Sequence, residues 1–319
     1  MTRAQITTNN RKALAFCTNQ GGVAYGLFAA AQAAQLSENR DFDILVVSLE
    51  PIDIPQYFLD LGIKSVVLDL RDEMAEQDFA IRRLPLEAYL WFWFAQALGH
   101  IYQRILFLDL DTYILSHDLA EFMDVDLGGH AIGAVREIAQ WDNLNMPVKE
   151  FKARNIRGMK FLNSGMVLID TETFNARGIL ESVLEINANS GAMTQHDQSL
   201  INLAVMGDWA ELNPVWNWQW TRAYPFFQDY VGAQVLHFQG VRKPWHPDAR
   251  QTRFSRVFVN QYHVFMKLHF PDQGFEVLPA AAYRRGPMAI LVDMLDHMRK
   301  LRRLHLLMRR FKGDMDVLP

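Results

Sequence analysis

Asp109 and Asp111, separated by Leu110 and standing directly after the apolar run Arg104-Ile105-Leu106-Phe107-Leu108, are the residues of this chain best placed to do chemistry. Two carboxylates one residue apart at the end of a buried strand can both reach one hard cation where the chain turns, and their oxygens suit Mg²⁺ or Mn²⁺. Such a cation would neutralise a diphosphate and stabilise the charge that develops as it leaves. An Asp-x-Asp is also compatible with solvated loop acids or a helix cap. The strand in front favours the metal, because ligands of open α/β sheets bind beyond the carboxyl ends of strands.

The elements that must hold this pair alternate between short β-rich runs and helical stretches, the pattern of an α/β fold with a mostly parallel, Rossmann-like sheet flanked by helices. Residues 13–17 read as a first strand, followed by Thr18-Asn19-Gln20-Gly21-Gly22 and an alanine-rich helix to about Leu36, the shape of a nucleotide-binding βα unit. Further strands are expected at 44–47, 65–68, 131–135, 166–169 and 235–238, and helices over 86–98 and from about Gln195. Leu90-Trp91-Phe92-Trp93-Phe94 is far shorter than the ~20 residues of a membrane span, so it reads as a buried helix.

With 319 residues, 50% of them hydrophobic, the chain can bury a sizeable core. The single Cys17 excludes an internal disulfide framework and fits a reducing compartment. Met1 to Lys12 lacks the apolar core of a secretory signal, so a cytoplasmic location is expected. The net charge of -4 gives no global attraction for nucleic acid. From Arg284 to Lys312, nine Lys or Arg residues stand against Asp293 and Asp296, with Met288, Leu291, Leu295, Met298, Leu301, Leu304 and Met308 at roughly helical spacing. That describes a basic amphipathic helix, suited either to the inner face of an anionic membrane or to packing on the protein with a solvated basic side. The expected division is a catalytic domain at 1–270 and a helical C-terminal appendage at 271–319.

Leu106 to Leu115 resembles the metal-binding segment of the family 8 glycosyltransferases, the retaining, GT-A-fold group that includes bacterial lipooligosaccharide galactosyltransferases and glycogenin. Four further segments fall in the family's order: Phe161-Leu162-Asn163-Ser164-Gly165, His196-Asp197-Gln198-Ser199, Leu212-Asn213-Pro214-Val215-Trp216-Asn217-Trp218, and His237-Phe238-Gln239-Gly240-Val241-Arg242-Lys243-Pro244-Trp245. The last is similar to the family's His-x-x-Gly-x-x-Lys-Pro-Trp and is the most specific.

The resemblance implies a metal held by Asp109, Asp111 and His237, and an imidazole beside two carboxylates favours Mn²⁺ over Mg²⁺. It implies Lys243 at the diphosphate, Gly240 where the backbone approaches it, Asn163, Asp197 and Gln198 around the donor sugar, and Thr18, Asn19, Leu110 and Tyr25 toward the nucleoside. Glu137 stands where relatives place an acid near the acceptor. The implied partners are a UDP-sugar donor and a saccharide or glycolipid acceptor. Read without the family, Asn163 would form a turn, Asp197 a helix cap and His237 a hydrogen-bonded core residue. Trp216, Trp218 and Trp220 would either stack on acceptor sugars or pack a core.

Two stretches depart from the family. Relatives carry an acidic pair and a base-stacking aromatic after the first strand, where this chain has Gln20 and Gly22, with Tyr25 one turn on. Relatives also carry Tyr-x-Arg where Tyr89-Leu90-Trp91 stands, and Arg82 or Arg83 is the nearest replacement charge. These changes motivate a rival reading, a sugar-nucleotide binder without turnover. An aspartate-nucleophile phosphatase is a second rival, weakened by Tyr113 where its threonine should be and by the hundred-odd residues before the motif.

Overall fold

Every residue of Lys12–Cys17 is buried, and its alternate side chains serve two different layers. Leu14 and Phe16 point into one apolar cluster, Ala13, Ala15 and Cys17 into another. Strands covered on both faces are unbroken apolar runs rather than alternating ones, which is what makes the inner strands legible in the sequence. The computed structural model describes residues 6–79, 85–189, 193–220, 231–240, 243–246, 254–273 and 286–319.

Among the described residues the strands are β1 (Lys12–Cys17), β2 (Phe42–Ser48), β3 (Ile63–Val67), β4 (Arg104–Leu108), β5 (Thr112–Ile114), β6 (Ile132–Arg136), β7 (Leu162–Asp170), β8 (Ala210–Leu212), β9 (Trp218–Gln219), β10 (Val235–His237) and β11 (Val317–Leu318). The main sheet has the order β11-β8-β6-β7-β4-β1-β2-β3. In it β7 and β11 run against the other strands, and the rest is parallel. The chain leaves β1 toward β2 and β3, then returns to place β4 on the other side of β1. This reversal opens a crevice between the carboxyl ends of β1 and β4, where Thr18–Gly22 and Asp109–Asp111 emerge.

A second sheet, β5-β10-β9, brings distant residues to that crevice. Antiparallel pairing sets His237 opposite Thr112, and the Phe238 N–H donates to the Asp111 carbonyl at 2.9 Å. His237 is thereby delivered to Asp111 across 126 residues of chain.

The expected helix at 86–98 is wound in two ways: a 3₁₀ segment, Leu86–Trp93, and then an α-helical turn, Phe94–Leu98. From Tyr89 to Ala95 every residue is buried, so no polar stripe favours the α-helical period over the tighter winding. Trp216 and Trp218 are fully buried and Trp220 nearly so; Trp216 stacks on Phe122 at 3.9 Å and Trp218 packs on Trp141. They are core residues, and stacking of an acceptor on them is set aside.

The helix Arg256–His269 lies on the core through Val259, Tyr262 and Met266. The helix Pro287–Met308 follows, with Leu304 and Leu307 buried but Met288, Leu291, Leu295 and Met298 exposed. Residues beyond it return to the main sheet. β11 pairs with β8, Trp216 Nε1 donates to the Asp314 carbonyl at 2.9 Å, and Arg310 joins Arg136 around the buried Glu211. The segment read as an appendage therefore supplies an edge strand to the sheet. No helix among the described residues is long and apolar enough to cross a membrane.

Candidate active site

Leu110 sets the direction of its neighbours. Its side chain packs between Gly22 and Gly26 of the first loop and helix, with methyl groups 3.1 and 3.0 Å from where side chains there would begin. Asp109 and Asp111, on either side, are left to turn toward the crevice. A carboxylate oxygen from each and a ring nitrogen of His237 all lie within 4.8 Å of one another. His237 Nε2 stands 3.3 Å from Asp111 and 3.7 Å from Asp109.

The orientation of His237 follows from its other nitrogen. Nδ1 faces Asn163 Oδ1 at 3.2 Å and Asn217 Oδ1 at 3.1 Å. The Asn163 oxygen is fixed as an acceptor, because the Gly165 N–H donates to it at 3.1 Å and the Asn163 amide nitrogen points at Glu137. Nδ1 therefore carries the proton, and the lone pair of Nε2 is aimed between two carboxylates, the arrangement by which a histidine is oriented onto a metal. The donor set fits a divalent cation that accepts mixed oxygen and nitrogen ligands.

Charge balance here is tight. Burial works against the Asp111 carboxylate, but Lys243 and His237 outweigh it and hold its pKa well below the ordinary range. Burial and the adjacent Asp111 push Asp109 the other way, up. Burial disfavours the His237 imidazolium, yet the two aspartates outweigh it and raise its pKa. Lys243 Nζ bonds the Asp111 carboxylate and the Phe238 carbonyl. Gly240, at φ +95°, makes the turn between β10 and Lys243, a conformation that L side chains avoid.

Gly165 has a steric role. A Cβ at this position would lie 2.1 to 2.9 Å from the His237 ring atoms, so the imidazole can occupy its place only against a residue without a side chain. If the triad holds a divalent cation, Gly165→Ala is expected to weaken its binding by about 10–100-fold, the usual effect of disturbing a ligand's support. Titration calorimetry checks this, and an unchanged affinity would remove His237 from the ligand set.

On the β7 side of the triad lies a closed network. Asn163 Nδ2 donates to Glu137 at 2.9 Å and to Gln198 Oε1 at 3.0 Å, and Gln198 Nε2 donates to Glu137 at 3.1 Å. Burial raises the Glu137 pKa against these hydrogen bonds. Asp197 receives Trp91 Nε1 at 3.3 Å, and burial raises its pKa despite help from Ser164 and Trp91. Trp91 stacks on Phe107 and so meets Asp197 with a neutral donor where relatives place a cation. Arg82 and Arg83 lie outside the described residues.

On the β1 side, Asn19 Oδ1 accepts the Gly22 N–H at 3.2 Å, and Asn19 Nδ2 reaches Glu87 at 3.4 Å. Thr18 is buried beneath Gly22, where a Cβ would lie 2.6 Å from the Thr18 hydroxyl, so an aromatic at position 22 is sterically excluded. The nearest aromatic, Tyr25, stacks on Trp245 with centroids 4.3 Å apart.

The structure thus brings Asp109, Asp111, His237, Lys243, Asn163, Gln198, Glu137 and Asp197 around one crevice, with Thr18 and Asn19 on its β1 side. Leu110 faces the helix, and Tyr25 lies beside the loop that carries Lys243. Two residues passed over in the sequence join them. Asn217, in a segment already matched to the family, donates to Asn163 Oδ1 at 2.8 Å. Glu87, just before the apolar run Leu90–Phe94, is a buried carboxylate against the loop after β1.

A mostly parallel sheet with an acid pair at its switch point is the arrangement of the GT-A class of nucleotide-diphospho-sugar transferases. The pattern of glycosyl transferase family 8 matches residues 13–249, and the chain belongs to that family. It is similar to glycosyltransferase GlyF of Streptococcus pneumoniae serotype 4 (25% identical over 66% of this chain and 52% of that protein). It is also similar to general stress protein A of Bacillus subtilis (24% over 49% of this chain and 57% of that protein). The chain therefore spans little more than half the length of either relative. Its fold matches that of the galactosyltransferase LgtC, solved with donor and acceptor sugar analogs, with a TM-score of 0.61 at 17% identity over 84% of this chain and 98% of the other.

Proposed function

We propose that this protein is a metal-dependent, retaining hexosyltransferase that moves galactose or glucose from a UDP-sugar to a hydroxyl of a saccharide or glycolipid. The observation that carries this reading is the placement of His237 Nε2 between Asp109 and Asp111, with Nδ1 held by Asn163 and Asn217, at the switch point of the sheet. A divalent cation held by these three residues, Mn²⁺ in preference to Mg²⁺, supplies charge neutralisation for the leaving diphosphate. Lys243, already within bonding distance of Asp111, adds a positive charge for the same phosphates.

Asn163, Asp197 and Gln198 would hold the donor sugar on the β7 side, with Glu137 fixing the two amides. The Gln198 amide is uncharged and engaged at both ends, and Asp197 is held by Trp91, which leaves no well-placed nucleophile among the described residues. Retention is then assigned to front-face attack. The acceptor oxygen bonds to the anomeric carbon on the side from which the diphosphate leaves, the anomeric C–O bond breaks, and the departing phosphate oxygen takes the hydroxyl proton. A sugar adduct trapped on Asp197 would overturn this route. Incubation with Mn²⁺ and UDP-, GDP- or ADP-sugars, following nucleoside diphosphate release, tests the donor. Release is expected with a UDP-sugar, whereas tight binding without turnover would favour a non-catalytic sugar-nucleotide binder.

The reading extends to peripheral attachment on the cytoplasmic face of an anionic membrane through the helix Pro287–Met308, supported by its exposed Met288, Leu291, Leu295 and Met298 beside Arg299, Arg302 and Arg303. Truncating this helix would also remove Arg310 and β11. Point substitution is the cleaner probe: Leu291→Ser/Leu295→Ser/Met298→Ser should lower sedimentation with anionic vesicles by ~10-fold or more. Equal sedimentation of variant and wild type would refute attachment.

A further inference from the structure

Glu87 is an acid that the expected nucleotide site does not use. It is 7% exposed by side chain, and it projects from the 3₁₀ segment Leu86–Trp93 that also presents Trp91 to Asp197. Its Oε2 receives Asn19 Nδ2 at 3.4 Å. Its Oε1 has only an ion pair with Arg71 at 3.9 Å among the described residues, too long for a hydrogen bond, and Arg71 turns its Nε to Glu50 at 2.9 Å. That oxygen therefore keeps acceptor capacity for a further donor.

Its position names that donor. Glu87 stands beside the loop that follows β1, against Asn19. A donor whose diphosphate lies at Asp109 and Asp111 and whose sugar lies at Asn163 and Gln198 must send its nucleoside the other way, across β1. There the amide of Asn19 is committed at both ends, its oxygen to Gly22 and its nitrogen to Glu87. The charged acceptor with room for an incoming base is the second oxygen of Glu87.

We propose that Glu87 selects the nucleobase by accepting a hydrogen bond from a ring N–H, with Asn19 as its positioning strut. Uracil presents such an N–H at N3, and guanine at N1; cytosine and adenine present a ring lone pair on the same edge, which a carboxylate repels. The inference rests on the nucleotide-sugar reading above. In the presence of Mn²⁺, UDP and CDP are compared by calorimetry on the full chain, because they differ on that edge alone. Wild type is expected to prefer UDP by ~10-fold or more, the discrimination typical of a well-placed base contact. Glu87→Gln, whose amide can meet either edge, should bring the ratio close to one while Mn²⁺ affinity and the unfolding midpoint stay as in wild type. An unchanged ratio in both Glu87→Gln and Glu87→Ala, or a wild-type preference for CDP, overturns the proposal with the donor reading intact. Wild-type protein that binds no nucleoside diphosphate overturns both.

Discussion

Replacing Asp109 and Asp111 together by alanine is expected to lower sugar transfer by ~10³-fold or more, with only a small change in stability. Both halves of this result follow from the same geometry. The two carboxylates and the His237 imidazole share a space less than 5 Å across, so removing both acids leaves one nitrogen ligand and no anionic charge to hold a cation. The leaving diphosphate would then face Lys243 alone. The stability effect combines two opposing terms: the Asp109 carboxylate is disfavoured where it stands, as its raised pKa records, whereas Asp111 is held by Lys243 and His237, so the two losses largely offset. Product release at saturating Mn²⁺ and a thermal unfolding curve on the same protein measure both quantities. Transfer that stays within tenfold of wild type would sink the metal assignment. Equal activity in wild type before and after exhaustive chelation would do the same.

Glu211→Ala should produce the opposite pattern, a large loss of stability from a residue away from the crevice. Glu211 is 1% exposed and is held by two arginines, Arg136 at 3.0 and 2.6 Å and Arg310 at 2.5 and 3.0 Å. Arg136 is itself buried, so removing the carboxylate strands a guanidinium inside the protein, a change that costs ~3–5 kcal/mol. For a chain of this size the unfolding midpoint should fall by on the order of 10 °C. Arg310→Ala should cost less, since that side chain is 27% exposed and its loss leaves Glu211 paired with Arg136. The pH dependence has a definite sign. Burial raises the Glu211 pKa, but the two arginines outweigh it and hold it below 4.5. Its contribution is therefore complete above the ordinary glutamate value and is lost as pH falls through the lower folded one. Unfolding in urea at neutral pH and below pH 4 checks both. A loss under 1 kcal/mol in Glu211→Ala would show that the clamp does not hold the C-terminal end to the sheet.

The main sheet was legible in the sequence because β1, β2 and β4 are buried on both faces and therefore appear as unbroken apolar runs. Family-like segments were legible for a related reason: Asp109, Asp111, Asn163, Gly165 and Lys243 each sit within a few residues of a strand or turn that limits what can stand there. Residues that act through packing were harder to read. Trp216 and Trp218 look alike as core or as platform in a sequence, and only their burial against Phe122 and Trp141 decides the matter. Trp91 looked like the loss of an arginine and proves to be a neutral hydrogen-bond donor to Asp197.

By itself the sequence determined the α/β class, the acid pair after β4 and the basic amphipathic helix, because each is written in local periodicity or spacing; the histidine and lysine of the last matched segment were legible through the family resemblance. The tertiary structure decided how those pieces meet. Pairing of β10 with β5 carries His237 to Asp111, Asn163 and Asn217 turn its Nε2 toward the carboxylates, Gly165 makes room for its ring, and Asn19 meets Glu87 at the loop after β1. It also decided that the chain's end belongs to the sheet, through the two-residue strand β11 and the Arg310 clamp. A two-residue strand has no period to read, and a contact between residues a hundred positions apart leaves no local mark. Such features exist only once the chain has folded and the distances between its segments are set.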